Sequence, residues 1–84
     1  MKSPDLQTIT GRQLQAARVL VGMTAEALAE ASKVGVATIR RSEAKGDAPI
    51  TMVPNNASAV VRALKIAGVV FVARNGGGPG VRLK

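Results

Sequence analysis

Residues Met23 to Glu43 read MTAEALAEASKVGVATIRRSE, and the fold turns on how this stretch divides. Thr24 is a good N-cap: its hydroxyl can accept from an amide one turn into a helix, which would otherwise lack a partner. Glu26 follows in the first turn, where a negative charge suits the helix dipole. Ala25, Leu28, Ala29 and Ser32 fall on one face at helical spacing, with Leu28 the only large anchor. Ser32-Lys33-Val34-Gly35 then breaks the run. Val36 to Glu43 reads as a second helix, with Val36 and Ile39 three apart and Gly35 a weak cap. Ala29 is small where two helices must cross closely. About eight residues, a short turn and a second helix of eight is the layout of a helix-turn-helix.

Outward from this stretch, the chain closely resembles the helix-turn-helix domain of the XRE family, the Cro/C1 repressor type. The residues that carry the resemblance are Leu28, Ala29, Glu30, Ala31, Ser32, Val34, Ala37, Thr38, Ile39, Arg41 and Glu43. Gly11-Arg12-Gln13-Leu14 and Ala17-Arg18 are similar to the family's first helix, and Gly22-Met23-Thr24 to its entry into the second. The likeness spans roughly residues 10 to 68. It implies a mainly α, four- to five-helix domain there, with residues 1–9 as an N-terminal arm. Three positions depart from the family pattern. Ala25 stands where a phosphate-binding Gln is usual, Lys33 where the turn usually has Gly, and Ser42 where a large apolar residue packs inward.

The resemblance also implies a double-stranded DNA surface. Base edges would be met at the start of the second motif helix and one turn on, at Val36, Ala37 and Arg41, with Arg40 beside them. Val36 and Ala37 offer apolar contact, as to thymine methyls, and Arg41 can pair bidentately with guanine. Thr38, Lys33, Lys45 and the amide end at Thr24 and Ala25 suit phosphates. The expected function is a bacterial, sequence-specific transcriptional regulator, a repressor acting as a homodimer on a two-fold operator. The departures at Ala25, Lys33 and Ser42 motivate a different class of function: a protein-binding antiactivator that keeps the fold and masks a transcription factor.

Around the motif, Thr10 and Gln13 have the spacing of a capping box. Leu14, Ala17, Arg18 and Val21 share a stripe in the helix that follows, which should end at Gly22. Arg18 could reach a phosphate, but the preferred reading is a stem laid on the core and an ion pair with Glu26, Glu30 or Glu43. Ile50, Met52 and Val53 should pack down a loop after the third helix. Asn55 or Asn56 should cap a fourth helix, with Ala57, Val60, Val61 and Leu64 facing inward and Gly68 ending it. Beyond Gly68 the pattern becomes that of strands: Val69-Val70-Phe71-Val72, a Gly-rich turn, then Val81 to Lys84. LKIAGVVF followed by NGGGPGVRL resembles the tail of a set of small bacterial regulators of this type. A lone hairpin is marginal in water, so residues 69–84 must pack on the helices or pair with a second copy. Val70, Phe71 and Val72 are the expected dimerisation residues.

Composition narrows the functional classes. The 84 residues form one small domain with a light core, since the 46% apolar content is mostly Ala and Val and Phe71 is the only aromatic. Net charge is +7, with six basic and three acidic side chains in residues 1–42 and six and two in residues 43–84. The excess is spread along the chain and favours polyanions. There is no Cys and no His, which removes thiolate chemistry and the commonest base and metal ligand. No metal, cofactor or small-molecule ligand is expected, and no enzyme activity. The Gly run before Val81 lacks the Gly-Lys-Ser/Thr of a phosphate loop and reads as a turn. No apolar run suggests a signal peptide or a membrane span, so a cytoplasmic protein is expected.

Overall fold

The computed structural model describes residues 9–74 and 76–84. The expected arm at residues 1–8 lies outside them. Ile9, which the sequence assigned to that arm, is instead fully buried, and its carbonyl accepts from the Ile50 amide at 2.9 Å. Ile9 therefore belongs to the hydrophobic core.

Four helices and one two-stranded sheet are found among the described residues: α1 Gly11–Leu20, α2 Ala25–Ser32, α3 Val36–Glu43, α4 Pro54–Ile66, β1 Val69–Val72 and β2 Gly80–Leu83. The stripes behave as their spacing requires. Leu14 and Ala17 of α1, Leu28 of α2, Ile39 of α3, and Ala57, Val60, Val61 and Leu64 of α4 are buried together. Val34, between α2 and α3, joins them. Of the apolar loop residues, Ile50 is buried and Met52 is half-buried, but Val53, the N-cap of α4, stays exposed. Neither Asn caps that helix. Pro54 takes its first position, where the missing N–H costs nothing, and pushes Asn55 and Asn56 inside.

The helix ends follow local chemistry. Thr10 and Gln13 form the reciprocal capping box of α1. Gly22, with φ of 71°, and Gly68, with φ of 111°, take left-handed conformations just past α1 and α4. Lys33 does the same past α2 with φ of 59°, the one such non-glycine among the described residues. A left-handed conformation is costly for a residue with a Cβ.

Gly11 marks a close crossing of two helices. A Cβ placed on it would lie 2.3 Å from the Ser42 carbonyl oxygen and 2.8 Å from that of Glu43. The start of α1 thus lies directly on the end of α3, and Ser42, 2% exposed, is a small side chain in that crossing.

β1 and β2 pair antiparallel with Val69 opposite Leu83 and Val72 opposite Gly80. Val69 and Phe71 face the helices and are buried, while Val70 and Val72 are half-buried on the outer face. The hairpin is further fixed by Gln13. Its amide nitrogen donates to the carbonyls of Gly80 at 3.1 Å and Val72 at 3.3 Å, while its Oε1 accepts from the Thr10 amide at 2.9 Å. One buried side chain thus caps α1 and clamps the sheet.

Candidate nucleic-acid interface

The surface formed by the start of α2 and the exposed side of α3 gathers most of the residues singled out in the sequence. Thr24 caps α2, its hydroxyl accepting from the Ala27 amide at 2.9 Å. That leaves first-turn amides of α2 without helical partners, the usual anion-binding feature of a helix start. Ala25 buries its methyl in the core, so only its backbone N–H can contribute here. Thr24, Ala25, Glu26 and Arg40 line one shallow cleft with Arg18 and Glu43, which places the start of α2 beside α3.

At 3.6 residues per turn, Ala37 lies at the centre of the exposed arc of α3, with Arg40 and Arg41 on its two flanks. Ala37, Arg40 and Arg41 are exposed, whereas Val36 and Thr38 are half-buried at the margins. Ala44, exposed just past the helix end, continues the Ala37 line. The middle of this face is therefore flat, and its edges are cationic. Lys45 is exposed in the turn beyond α3, and Lys33 in the turn before it.

The cations are not equivalent. Arg40 is ion-paired with Glu26 across the gap between α3 and α2. Lys33 pairs with Glu30 one turn back, at 3.4 Å. Arg41 and Lys45 have no ion pair among the described residues. Both existing pairs are solvent-exposed and worth little to stability, but each offsets a charge that the sequence suggested for DNA. The Lys33–Glu30 spacing of three was legible in a helix pattern. Nothing in the sequence marks Glu26 as the partner of Arg40, fourteen positions away.

Arg18 holds the base of this surface. Its Nε and Nη2 donate to the two Glu43 oxygens at 2.7 and 3.0 Å, and its Nη1 donates to the Met23 carbonyl at 2.9 Å. The two side chains are only 16% and 9% exposed. The bond to Glu43 holds the guanidinium pKa above its ordinary value, against the opposing effect of burial. The folded state therefore binds the proton more tightly than the unfolded one. Stability from this linkage is complete below the unfolded pKa and is lost only above it, far outside working pH. Arg18 ties α1 to the end of α3 and to the turn before α2, and its donors are committed inside the protein.

Phe71, named with Val70 and Val72 for dimerisation, is 4% exposed within a single copy. Its ring belongs to this chain's own core, so it offers no surface to a second one. Among the described residues no cluster of three or more His, Cys, Asp or Glu is placed to hold a metal, and no helix is long and apolar enough to cross a membrane. No family model matches the chain, and no curated protein matches it in sequence.

Proposed function

We propose that the chain is a sequence-specific DNA-binding regulator of the XRE type, in which α2 and α3 form a helix-turn-helix and α3 enters the major groove. The observation that carries this reading is the exposed arc of α3. Alanines at 37 and 44 let the helix backbone approach a groove floor, and Arg40 and Arg41 rise on either side. A small apolar centre flanked by two arginines suits a helix that must come close to a groove floor. The free amides at the start of α2 lie alongside and suit a backbone phosphate. A net charge of +7 supplies the long-range attraction.

In this reading Arg41, which has no ion pair among the described residues, reads a guanine, and Ala37 and Val36 make apolar contacts to bases. Arg40 adds a contact once it leaves Glu26. Lys33, Lys45, Thr38 and the Thr24–Ala25 amides take phosphates. As a homodimer the protein would address two half-sites about one helical turn apart. Selection of bound sequences from a random DNA pool tests this. A two-fold symmetric motif is the expected result; recovery of unenriched sequence refutes specific binding.

The two ion pairs to α2 favour a second reading, in which the surface meets a protein and not DNA. Glu26 and Glu30 give it a mixed-charge character that a protein partner can match. A stoichiometric protein captured from the native host, together with no enrichment in the DNA selection, would establish that reading over the first.

A further inference from the structure

We propose that Arg62 and Lys65 of α4, with Arg82 and Lys84 of the hairpin, form a second nucleic-acid surface that grips the phosphate backbone of a duplex other than the one at α3. A protein so built bridges two duplexes. The bridging rests on the proposed function; the second surface does not. Net charge is unevenly placed once the chain is divided after Asp47. Residues 1–47 carry seven basic and five acidic side chains, a net +2, whereas residues 48–84 carry five basic and none acidic, a net +5. Every acid among the described residues is ion-paired: Glu26 with Arg40, Glu30 with Lys33, Glu43 with Arg18 and Asp47 with Arg12. None of these carboxylates pairs with a cation of α4 or the hairpin.

Four of those five cations meet at one end of the molecule. Arg62 and Lys65 are three apart on the exposed side of α4, and so are neighbours on its surface. The Gly68 amide donates to the Lys65 carbonyl at 3.0 Å, and the Gly68 carbonyl accepts from the Lys84 amide at 2.8 Å. The turn at Gly68 thus joins Lys65 to Lys84 through two backbone hydrogen bonds. Arg82 lies opposite Val70 on the outer face of the hairpin, and Lys84, two residues on, continues that face about 7 Å away. All four residues are exposed, and none has an ion pair among the described residues. Arg74 lies apart, in a cleft with Arg12 and Asp47.

α3 packs chiefly on α1 and α2, and α4 on α2 and β1, so α2 stands between the two helices. A duplex seated on the exposed arc of α3 therefore leaves the α4 end open. Neighbouring like charges repel, and no carboxylate relieves them here. A phosphate backbone does so, since it needs cations and no pocket. Protein interfaces, by contrast, centre on apolar side chains and are poor in Lys. Ile66, 81% exposed beside Lys65, is the feature an acidic protein would use instead.

The test uses the full chain and a random-sequence duplex. Ala37→Glu sets a carboxylate at the centre of the α3 face and should remove binding there. This variant should still bind the duplex, with log K falling against log salt at a slope of about −3.6 for four phosphates. Affinity then drops on the order of a hundredfold between about 50 and 200 mM salt. In that background, Arg62→Gln, Lys65→Gln, Arg82→Gln and Lys84→Gln should each flatten the slope by about 0.9, and the four together should abolish the binding. With α3 intact, the complex with a selected operator should capture a second, labelled duplex, and the four-glutamine variant should hold the operator but capture none. No duplex binding by Ala37→Glu, or a slope that the four glutamines leave unchanged, would overturn the proposal. Displacement of the duplex by less poly-glutamate than competing DNA, charge for charge, or loss of duplex binding in Ile66→Ser, would assign the surface to an acidic protein and overturn it as well. Duplex binding that needs the four cations, with no operator recovered, would leave this surface standing and sink the sequence-specific reading. A specific operator whose complex captures no second duplex would do the reverse.

Discussion

Replacing Gln13 with Glu isolates the clamp that holds the hairpin. The carboxylate retains an oxygen for the Thr10 amide, so the capping box survives. It has no donor for the Val72 and Gly80 carbonyls, which now accept from the Gln13 amide at 3.3 and 3.1 Å. Two hydrogen bonds are lost, at about 1 kcal/mol each. A buried charge is also left facing two carbonyl oxygens, which adds about 1–2 kcal/mol. The total is about 3–4 kcal/mol, a large share of the roughly 4–12 kcal/mol expected for a domain of this length. At about 4–8 °C per kcal/mol for small domains, Tm should fall by about 12–30 °C. Thr10→Ala removes the cap and leaves the clamp, and should cost about 1 kcal/mol. Circular dichroism melts at pH 7 give the comparison. Protonating the introduced carboxyl restores one donor, so the deficit should shrink at pH 4. Hydrogen exchange should locate the loss, with the Val70, Val72, Gly80 and Arg82 amides exchanging faster than those of α2 and α4. If Gln13→Glu melts like Thr10→Ala, Gln13 is a cap only and the clamp argument fails.

Four further outcomes follow from the geometry. Gly11→Ala should destabilise by about 2 kcal/mol despite its better helix propensity, because the added Cβ meets the backbone at Ser42 and Glu43; a stabilised variant in a thermal melt would contradict the close crossing. Lys33→Gly should stabilise by about 0.5–1 kcal/mol, the relief of the left-handed conformation exceeding the added chain entropy, whereas Lys33→Ala should not; denaturant midpoints decide it. Glu43→Ala should cost about 2–4 kcal/mol by stranding the Arg18 guanidinium, and replacing both partners with apolar residues should recover part of that in a double-mutant cycle. Under the proposed function, Arg41→Ala should lose about 1–3 kcal/mol of discrimination at one base, while Lys45→Ala should weaken all sequences alike and lower the salt slope by about one; identical behaviour in titrations on matched and mismatched DNA would refute the split.

Elements with a strong local signature were legible in the sequence. The Thr10–Gln13 box, the Thr24 cap, the apolar stripe of α4 and the β-branched run of β1 each depend on residues a few positions apart. The misreadings arose where distant contacts or competing local signals decide. Pro54 outcompetes Asn55 and Asn56 because fixed φ and a missing donor suit the first helical position. Gln13 looked complete as a capping residue, yet half of its amide serves carbonyls 59 and 67 positions away. The hairpin strands were found, but their exposure depends on how α1 and α4 lie against them. The sequence therefore named Phe71 for an interface when the helices had already covered it. Arg18 was read with three possible acids, and only the crossing of α1 with α3 singles out Glu43.

The arrangement of charge on α3 bears on specificity if the surface binds DNA. A surface whose cations were all unpaired would attract any duplex, since phosphates are the same everywhere and each contact adds affinity without discrimination. Here Arg40 and Lys33 are already partnered by Glu26 and Glu30, so a random phosphate must displace a carboxylate to gain either of them. Arg41 and Lys45 carry no such charge partner among the described residues. The acids of α2 thus hold down the indiscriminate part of the attraction, while Arg41 keeps its full capacity for a guanine edge. Glu26 and Glu30 would then be part of the recognition surface although neither can approach DNA favourably, and the charge of α2 would set the ratio of specific to non-specific binding.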